Sequence, residues 1–141
     1  MFGGVSPEHE VSVISGLQIV ESIDRSIYDP HVVYITKQGE LQYLEGLTNR
    51  KQFLSAKKKS VGFGRDNKGG FLEIPGFRSS RIYPYAAYLA FHGGLGEGGG
   101  IQGLLESLDM AYTSTSQESA VITMNKQLTK EQVAKAGVGV V

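Results

Sequence analysis

The 141-residue sequence is of single-domain length, 40% hydrophobic and 20% charged, as an ordinary folded domain requires. Fourteen Lys and Arg balance fourteen Asp and Glu, so the basic excess of a nucleic-acid or anionic-membrane surface is absent. No apolar run reaches the ~20 residues of a bilayer span, Met1-Phe2-Gly3-Gly4 has neither the basic nor the apolar region of a signal peptide, and without cysteine there is no disulfide, thiolate nucleophile or zinc-thiolate site. These features lead to the expectation of a cytoplasmic protein with no nucleic-acid or membrane partner.

Along the chain, Ser6-Pro7-Glu8-His9-Glu10 reads as a helix start. Ser6 can cap, Pro7 suits the first helical position, and the carboxylates complement the helix dipole. Val13, Gly16, Leu17, Val20, Ile23 and Ile27 follow three- and four-residue spacing up to a stop at Asp29-Pro30. Strands are expected at 31–36 and 40–44, with Gly39 in the turn between them. Residues 45–84 carry weak signals: Lys57-Lys58-Lys59 reads as a solvated face, and 61–63 with 71–74 as a surface hairpin around Asn67-Lys68-Gly69-Gly70. Residues 86–91 read as a buried strand. Ile101, Leu104, Leu105 and Leu108 form a helical stripe, and 111–113 a short strand. Residues 116–125 read as a helix with Ala120, Val121 and Met124 inward, 129–136 as a last helix ending at Gly137, and 138–141 as the start of a strand. Alternating strands and helices imply an α/β fold with a parallel sheet flanked by helices. Ligands in such sheets sit at the carboxyl ends of strands. The loops 3–8 and 92–100 have that position.

Three constellations could carry chemistry. Glu8, in the first turn of a helix that starts at a sheet edge, can hold a substrate ammonium or merely complement the dipole; His9 and Glu10 read as surface residues. Seven glycines fall between Gly93 and Gly103. Gly94, Gly96 and Gly99 match a G-x-G-x-x-G spacing with Glu118 roughly twenty residues on, so a dinucleotide fingerprint is open. His92 ends the strand before them, either as a ligand group or as a histidine bonded to backbone near the core. Lys126, at a corner between helices, reads on pattern alone as solvated.

In order and spacing, Gly3-Gly4-Val5-Ser6-Pro7-Glu8-His9-Glu10-Val11-Ser12, His92-Gly93, Gly96-Glu97, Ile101-Gln102-Gly103-Leu104-Leu105-Glu106 and Met124-Asn125-Lys126-x-x-Thr129-Lys130 resemble the D-alanine–D-alanine ligase family. The resemblance runs along the whole chain, loosely over 45–84. It implies the Rossmann-like first domain (pre-ATP-grasp domain) of an ATP-grasp enzyme, with 1–125 as the substrate-binding domain and 126–141 as the hinge and start of the central domain. Such enzymes join two D-alanines with ATP and Mg²⁺, through a D-alanyl phosphate, to make a peptidoglycan precursor, and are commonly homodimers. By motif match, Glu8 holds the ammonium of the first D-alanine and is the catalytic residue supplied here. Val11 and Ser12 lie beside the pocket, His92 lies near the same substrate, and Lys126 reaches toward the nucleotide. No metal ligand is expected from this part of the chain. The sequence departs from the family at Gly98 and Asn125, both usually Asp, and at Thr113-Ser114-Thr115-Ser116, where a glycine-containing turn is usual.

Left open are a D-alanine–D-lactate ligase, a dinucleotide-binding module and a standalone small-molecule binding domain. The 141 residues alone are expected to be inactive, since metal carboxylates and the ATP cradle belong to the family's other domains. With only Met1 and Phe2 before Gly3-Gly4, the first strand is expected to be short and the isolated chain poorly stable.

Overall fold

A computed structural model describes residues 1–140. Strand β1 (Phe2–Gly3) runs parallel to β2 (Val32–Ile35), with Phe2 opposite Tyr34. Beyond β2 the sheet turns antiparallel through β3 (Leu41–Glu45) and β4 (Lys57–Ser60), in the order β1-β2-β3-β4. A second sheet, β5 (Gly62–Asp66), β6 (Gly69–Ile74) and β7 (Ser80–Ile82), is antiparallel throughout. Strands β8 (Ala87–Tyr88) and β9 (Tyr112–Thr113) form a parallel pair. A parallel bridge from Ala90 to Phe2, with Ala90 N–H donating to the Met1 carbonyl at 2.9 Å, joins the chain after β8 to β1. Helices are α1 (His9–Ser22), α2 (Gly94–Glu97), α3 (Gly100–Ser107), α4 (Gln117–Met124) and α5 (Lys126–Lys135).

The fold is therefore α/β, but its sheet is mixed where a parallel one was expected. The turn at 36–40 explains why. Thr36 Oγ1 accepts the N–H groups of Gln38 and Glu40, Gly39 takes φ +86°, and the Thr36 N–H reaches the Glu40 carbonyl at 2.9 Å. So short a link closes a hairpin, whereas a parallel partner needs a crossover of a dozen or more residues.

Alternation along β2 distributes the core. Val32 joins Phe2, Leu17, Val20, Leu44 and Leu47 under α1. Ile35 packs with Phe91, Ile101, Leu105 and Met110 under α3, and Val33 packs with Val61, Leu72 and Ile74 of the second sheet. One face of the first sheet thus carries α1, and the other carries α3 and the second sheet.

Several local expectations change. Helix α1 ends at Ser22, about two turns before Asp29-Pro30, because the Asp24 carboxylate accepts both the N–H and the hydroxyl of Ser26 and closes a turn of its own; Ile27 is consequently 70% exposed. The 61–74 hairpin exists but is not superficial, since Phe71, Leu72 and Ile74 are buried. Lys57-Lys58-Lys59 is solvated and also forms an edge strand, with Lys57 and Lys59 paired to Glu45 across the ladder; lysines on an edge discourage further strand pairing. In α4 only Ala120 is buried, while Val121 and Met124 are about half exposed, at 45% and 49%. The last helix begins three residues earlier than expected because Asn125 caps it. Residues 138–140 form no strand, and Val141 lies outside the described residues.

The chain's first amine gives a pH prediction. Met1 is half-buried, its amine donates to the Tyr88 carbonyl at 2.7 Å, and burial lowers the amine pKa to about 5. Between about pH 5 and 8 the unfolded amine holds a proton that the folded one has lost. Stability should therefore rise with pH across that window and be lost as pH falls through it. Melting temperatures of the 141-residue polypeptide, with the amine free and acetylated, check this: the free-minus-acetylated difference should grow more favourable from pH 5 to 8. A difference that stays flat would mean the amine is solvated.

Candidate functional site

Two parallel neighbours, β1 and the chain through Ala90, deliver their carboxyl ends to the same edge. Gly3 and Gly4 turn away from β1 at φ +91° and +99°, with the Gly4 N–H donating to the Ile35 carbonyl at 2.8 Å. The turn places Ser6 against His92. Ser6 Oγ accepts the Glu8 N–H at 3.1 Å and donates to the His92 carbonyl at 3.0 Å. From α1, the fully buried Ser12 hydroxyl accepts the His92 N–H at 2.7 Å, and Ser15 Oγ lies 2.9 Å from His92 Nε2. Three serines thus hold the carbonyl, the amide and the ring of His92.

Glu8 stands beside this group. Its carboxylate is exposed and, among the described residues, has neither a hydrogen bond nor an ion pair. Gly93, at φ +67°, is the contact between the two loops. A Cβ there would come within 2.7 Å of Ser6 Oγ and 3.5 Å of Glu8 Oε2, so only glycine lets the second loop approach this closely. Glu97 turns back to accept the Gly93 N–H at 2.8 Å and fixes that loop. Val11, three residues beyond Glu8, is half exposed on α1. The structure therefore groups Glu8, Ser12 and His92, with Val11 close by in the helix. Lys126 is elsewhere, exposed at the first residue of α5, with no hydrogen bond or ion pair to that group.

His9 is a correction. Expected at the surface, it is 4% exposed, with Nδ1 2.7 Å from the Gly4 carbonyl and Nε2 3.1 Å from the Tyr34 hydroxyl. A carbonyl only accepts, so Nδ1 carries the hydrogen. The signal was present in the spacing, because His9, Val13, Gly16 and Val20 share one helical face. Glu10 is exposed and pairs with Lys37. Ser15 was not singled out from sequence, although Glu8, Ser12 and Ser15 form a second stripe at four- and three-residue spacing.

The fingerprint glycines serve internal packing. A Cβ on Gly94 would meet the Val5 carbonyl oxygen at 2.8 Å, on Gly96 the Phe91 side chain at 2.2 Å, and on Gly99 Val121 Cγ2 at 2.9 Å. Gly94 and Gly96 both lie inside the single turn of α2, so the segment is not the strand–turn–helix cradle that a pyrophosphate needs. Of the family departures, Gly98 sits where a Cβ would be 2.9 Å from the Gly94 carbonyl oxygen, a tight closure that glycine permits. Asn125 Oδ1 accepts the N–H groups of Gln127 and Leu128, the capping duty an Asp also performs. Ser116 caps α4 by accepting the Ser119 N–H.

A cleft of about 420 Å³, lined by Phe91, Glu97, Gln102, Thr115 and Thr123 among others, touches the glycine segment but none of Glu8, Ser12, His92 or Lys126. Among the described residues no group of three His, Asp or Glu side chains could hold a metal ion, and no helix is long and apolar enough to cross a membrane.

Comparison with known proteins places the whole chain in one family. The model of the family described as "D-ala D-ala ligase N-terminus" matches residues 1–115. A D-alanine–D-alanine ligase from Thermoanaerobacter sp. (strain X514) is 34% identical over 140 residues, covering 97% of this chain and 39% of the relative. The D-alanine–D-alanine ligase structure from Coxiella burnetii superposes with a TM-score of 0.83 at 28% identity, over 99% of this chain and 41% of that one. The VanG D-Ala:D-Ser ligase from Enterococcus faecalis has the same TM-score at 25% identity, with the same two coverages. The chain spans about two-fifths of the length of the curated relatives it matches. A family model that matches most of the sequence, together with relatives of this identity, shows that this chain belongs to the D-alanine–D-alanine ligase family as an N-terminal domain.

Proposed function

We propose that this chain is the part of an ATP-dependent ligase that holds the first D-alanine while it is joined to a second. The carrying observation is the exposed, unpaired Glu8 carboxylate held against the His92 loop: an anion ready for an ammonium, beside an imidazole that can meet the amino acid's other end. Helix α1 begins at the next residue, His9, so the carboxylate stands at the positive end of the helix dipole. Glu8 binds the ammonium, Val11 and Ser12 shape the wall, and His92 faces the substrate. Residues 1–125 form an α/β substrate-binding domain, and 126–141 begin the hinge toward an ATP-grasp domain, from which Lys126 reaches the nucleotide.

ATP and Mg²⁺ supply the phosphoryl group that activates the first carboxylate. In this reading Mg²⁺ is held by the family's other domains, while this chain binds and orients the amino acid and Lys126 reaches toward phosphate. The product is D-alanyl-D-alanine for peptidoglycan, made in the cytoplasm by an enzyme that pairs as a homodimer. The second substrate is chosen elsewhere in the enzyme; the structural likeness to a D-Ala:D-Ser ligase supports that division.

A chimera tests the reading: this chain replaces the matching segment of the Thermoanaerobacter ligase, and D-alanine-dependent ADP release is followed. The 141 residues alone should release none, because phosphoryl transfer depends on charge stabilisation they lack. In the chimera, Glu8→Gln keeps the shape and removes the charge. A charge-assisted hydrogen bond contributes ~1.5–3 kcal/mol, so kcat/KM for the first D-alanine should fall at least about tenfold. Unchanged kinetics would reduce Glu8 to a complement of the helix dipole.

A further inference from the structure

We propose that Ser15 is a positioning residue that holds His92 in the tautomer protonated at Nδ1, so that the ring presents an N–H donor to the carboxylate of an amino acid whose ammonium meets Glu8. The ligand rests on the D-alanine reading above; the tautomer does not.

The argument starts from how much of His92 is already fixed. Ser6 holds its carbonyl and Ser12 its amide, so only the ring torsions remain free. Ser15, one helical turn beyond Ser12, stops them with a 2.9 Å contact to Nε2. A serine hydroxyl has a single hydrogen to donate. In a helix it commonly goes to the carbonyl four residues earlier, but no such bond forms here. Among the described residues His92 Nε2 is the one partner of Ser15 Oγ. With no competing acceptor among the described residues, the hydroxyl hydrogen is assigned to Nε2, which then accepts, and in the neutral ring the proton sits on Nδ1. Nδ1 itself has no partner among the described residues. His9, the first residue of α1, is the contrast, with both ring nitrogens engaged by Gly4 and Tyr34.

The test is a long-range proton–nitrogen correlation spectrum of the ¹⁵N-labelled 141-residue chain, at a pH about two units above the ordinary imidazole range. His92 should be protonated at Nδ1. In Ser15→Ala it should shift toward the Nε2-protonated form, and Ser15→Thr should restore it. His9 signals should stay put in all three proteins, reporting an intact fold. In the chimera, Ser15→Ala should raise KM for the first D-alanine about threefold to tenfold, as expected for one neutral hydrogen bond, with kcat moving less and Ser15→Thr recovering both. Native His92 protonated at Nε2 would overturn the proposal, even if the alanine variant failed to fold, and so would a tautomer unmoved by Ser15→Ala. If the tautomers behave as expected but D-alanine does not drive the chimera, the D-alanine reading falls and the positioning by Ser15 stands.

Discussion

Replacing Phe2 by alanine should lower the stability of the chain by about 3–5 kcal/mol, the range for emptying a large aromatic site in a packed core. Phe2 is 2% exposed and shares its cluster with Leu17, Val20, Val32, Leu44 and Leu47. Its ring lies 5.8 Å from Tyr34 and 6.1 Å from Phe53, centroid to centroid. Above it passes Gly16, so close that a Cβ there would sit 2.2 Å from the Phe2 ring. The ring thus fills the space that a side chain on α1 would otherwise occupy, and glycine has nothing with which to refill it. Because a domain's whole margin is ~5–15 kcal/mol, the loss should appear in urea titrations as a large fall in midpoint at unchanged slope. A loss below about 1 kcal/mol, the cost of a partly exposed residue, would mean that α1 does not seat on β1. The consequence reaches the site, since Ser12 and Ser15 ride on the same helix.

The second large effect is expected at Gly3→Ala, at about 1.5–4.5 kcal/mol. Two terms add: ~1–3 kcal/mol for an L residue held at unfavourable positive φ, and ~0.5–1.5 kcal/mol for a weakened backbone hydrogen bond. Gly3 has φ +91°, and its Cβ would fall 2.2 Å from the Ile35 carbonyl oxygen, the atom that accepts the Gly4 N–H at 2.8 Å. The collision is with backbone, so β1 and β2 must part. Gly4 provides the control. Its φ is +99°, but its Cβ would meet only Phe91 at 3.7 Å, an ordinary contact. Gly4→Ala should therefore cost only the backbone term. Thermal denaturation of the two variants decides it: equal losses would show that strand separation is not what makes Gly3 necessary.

Much of this protein is legible in its sequence. The stripe through Gly16, Leu17 and Val20, and the one through Ile101 and Leu105, mark α1 and α3 because a helix repeats its buried face within four residues. Strands β2 and β3 and the Gly39 turn between them announce themselves by composition and spacing over a dozen residues. The motif residues Glu8, Ser12 and His92 were identifiable by their order along the chain, and the fold groups them. Only tertiary structure decided the rest. Strands β1, β8 and β9 have two residues each, too few for any periodicity, and exist because distant partners complete their hydrogen bonds. Lys57-Lys58-Lys59 is a strand because Glu45 and the β3 ladder receive it, not through local preference. His9 is buried because the Gly4 carbonyl and the Tyr34 hydroxyl satisfy both ring nitrogens, and Ser15 acquires a role because His92, 77 positions away, arrives beside it. Local spacing determines which face of an element is apolar; which polar atoms meet across the sheet edge depends on pairings between residues far apart in sequence, and those are set by the packed whole.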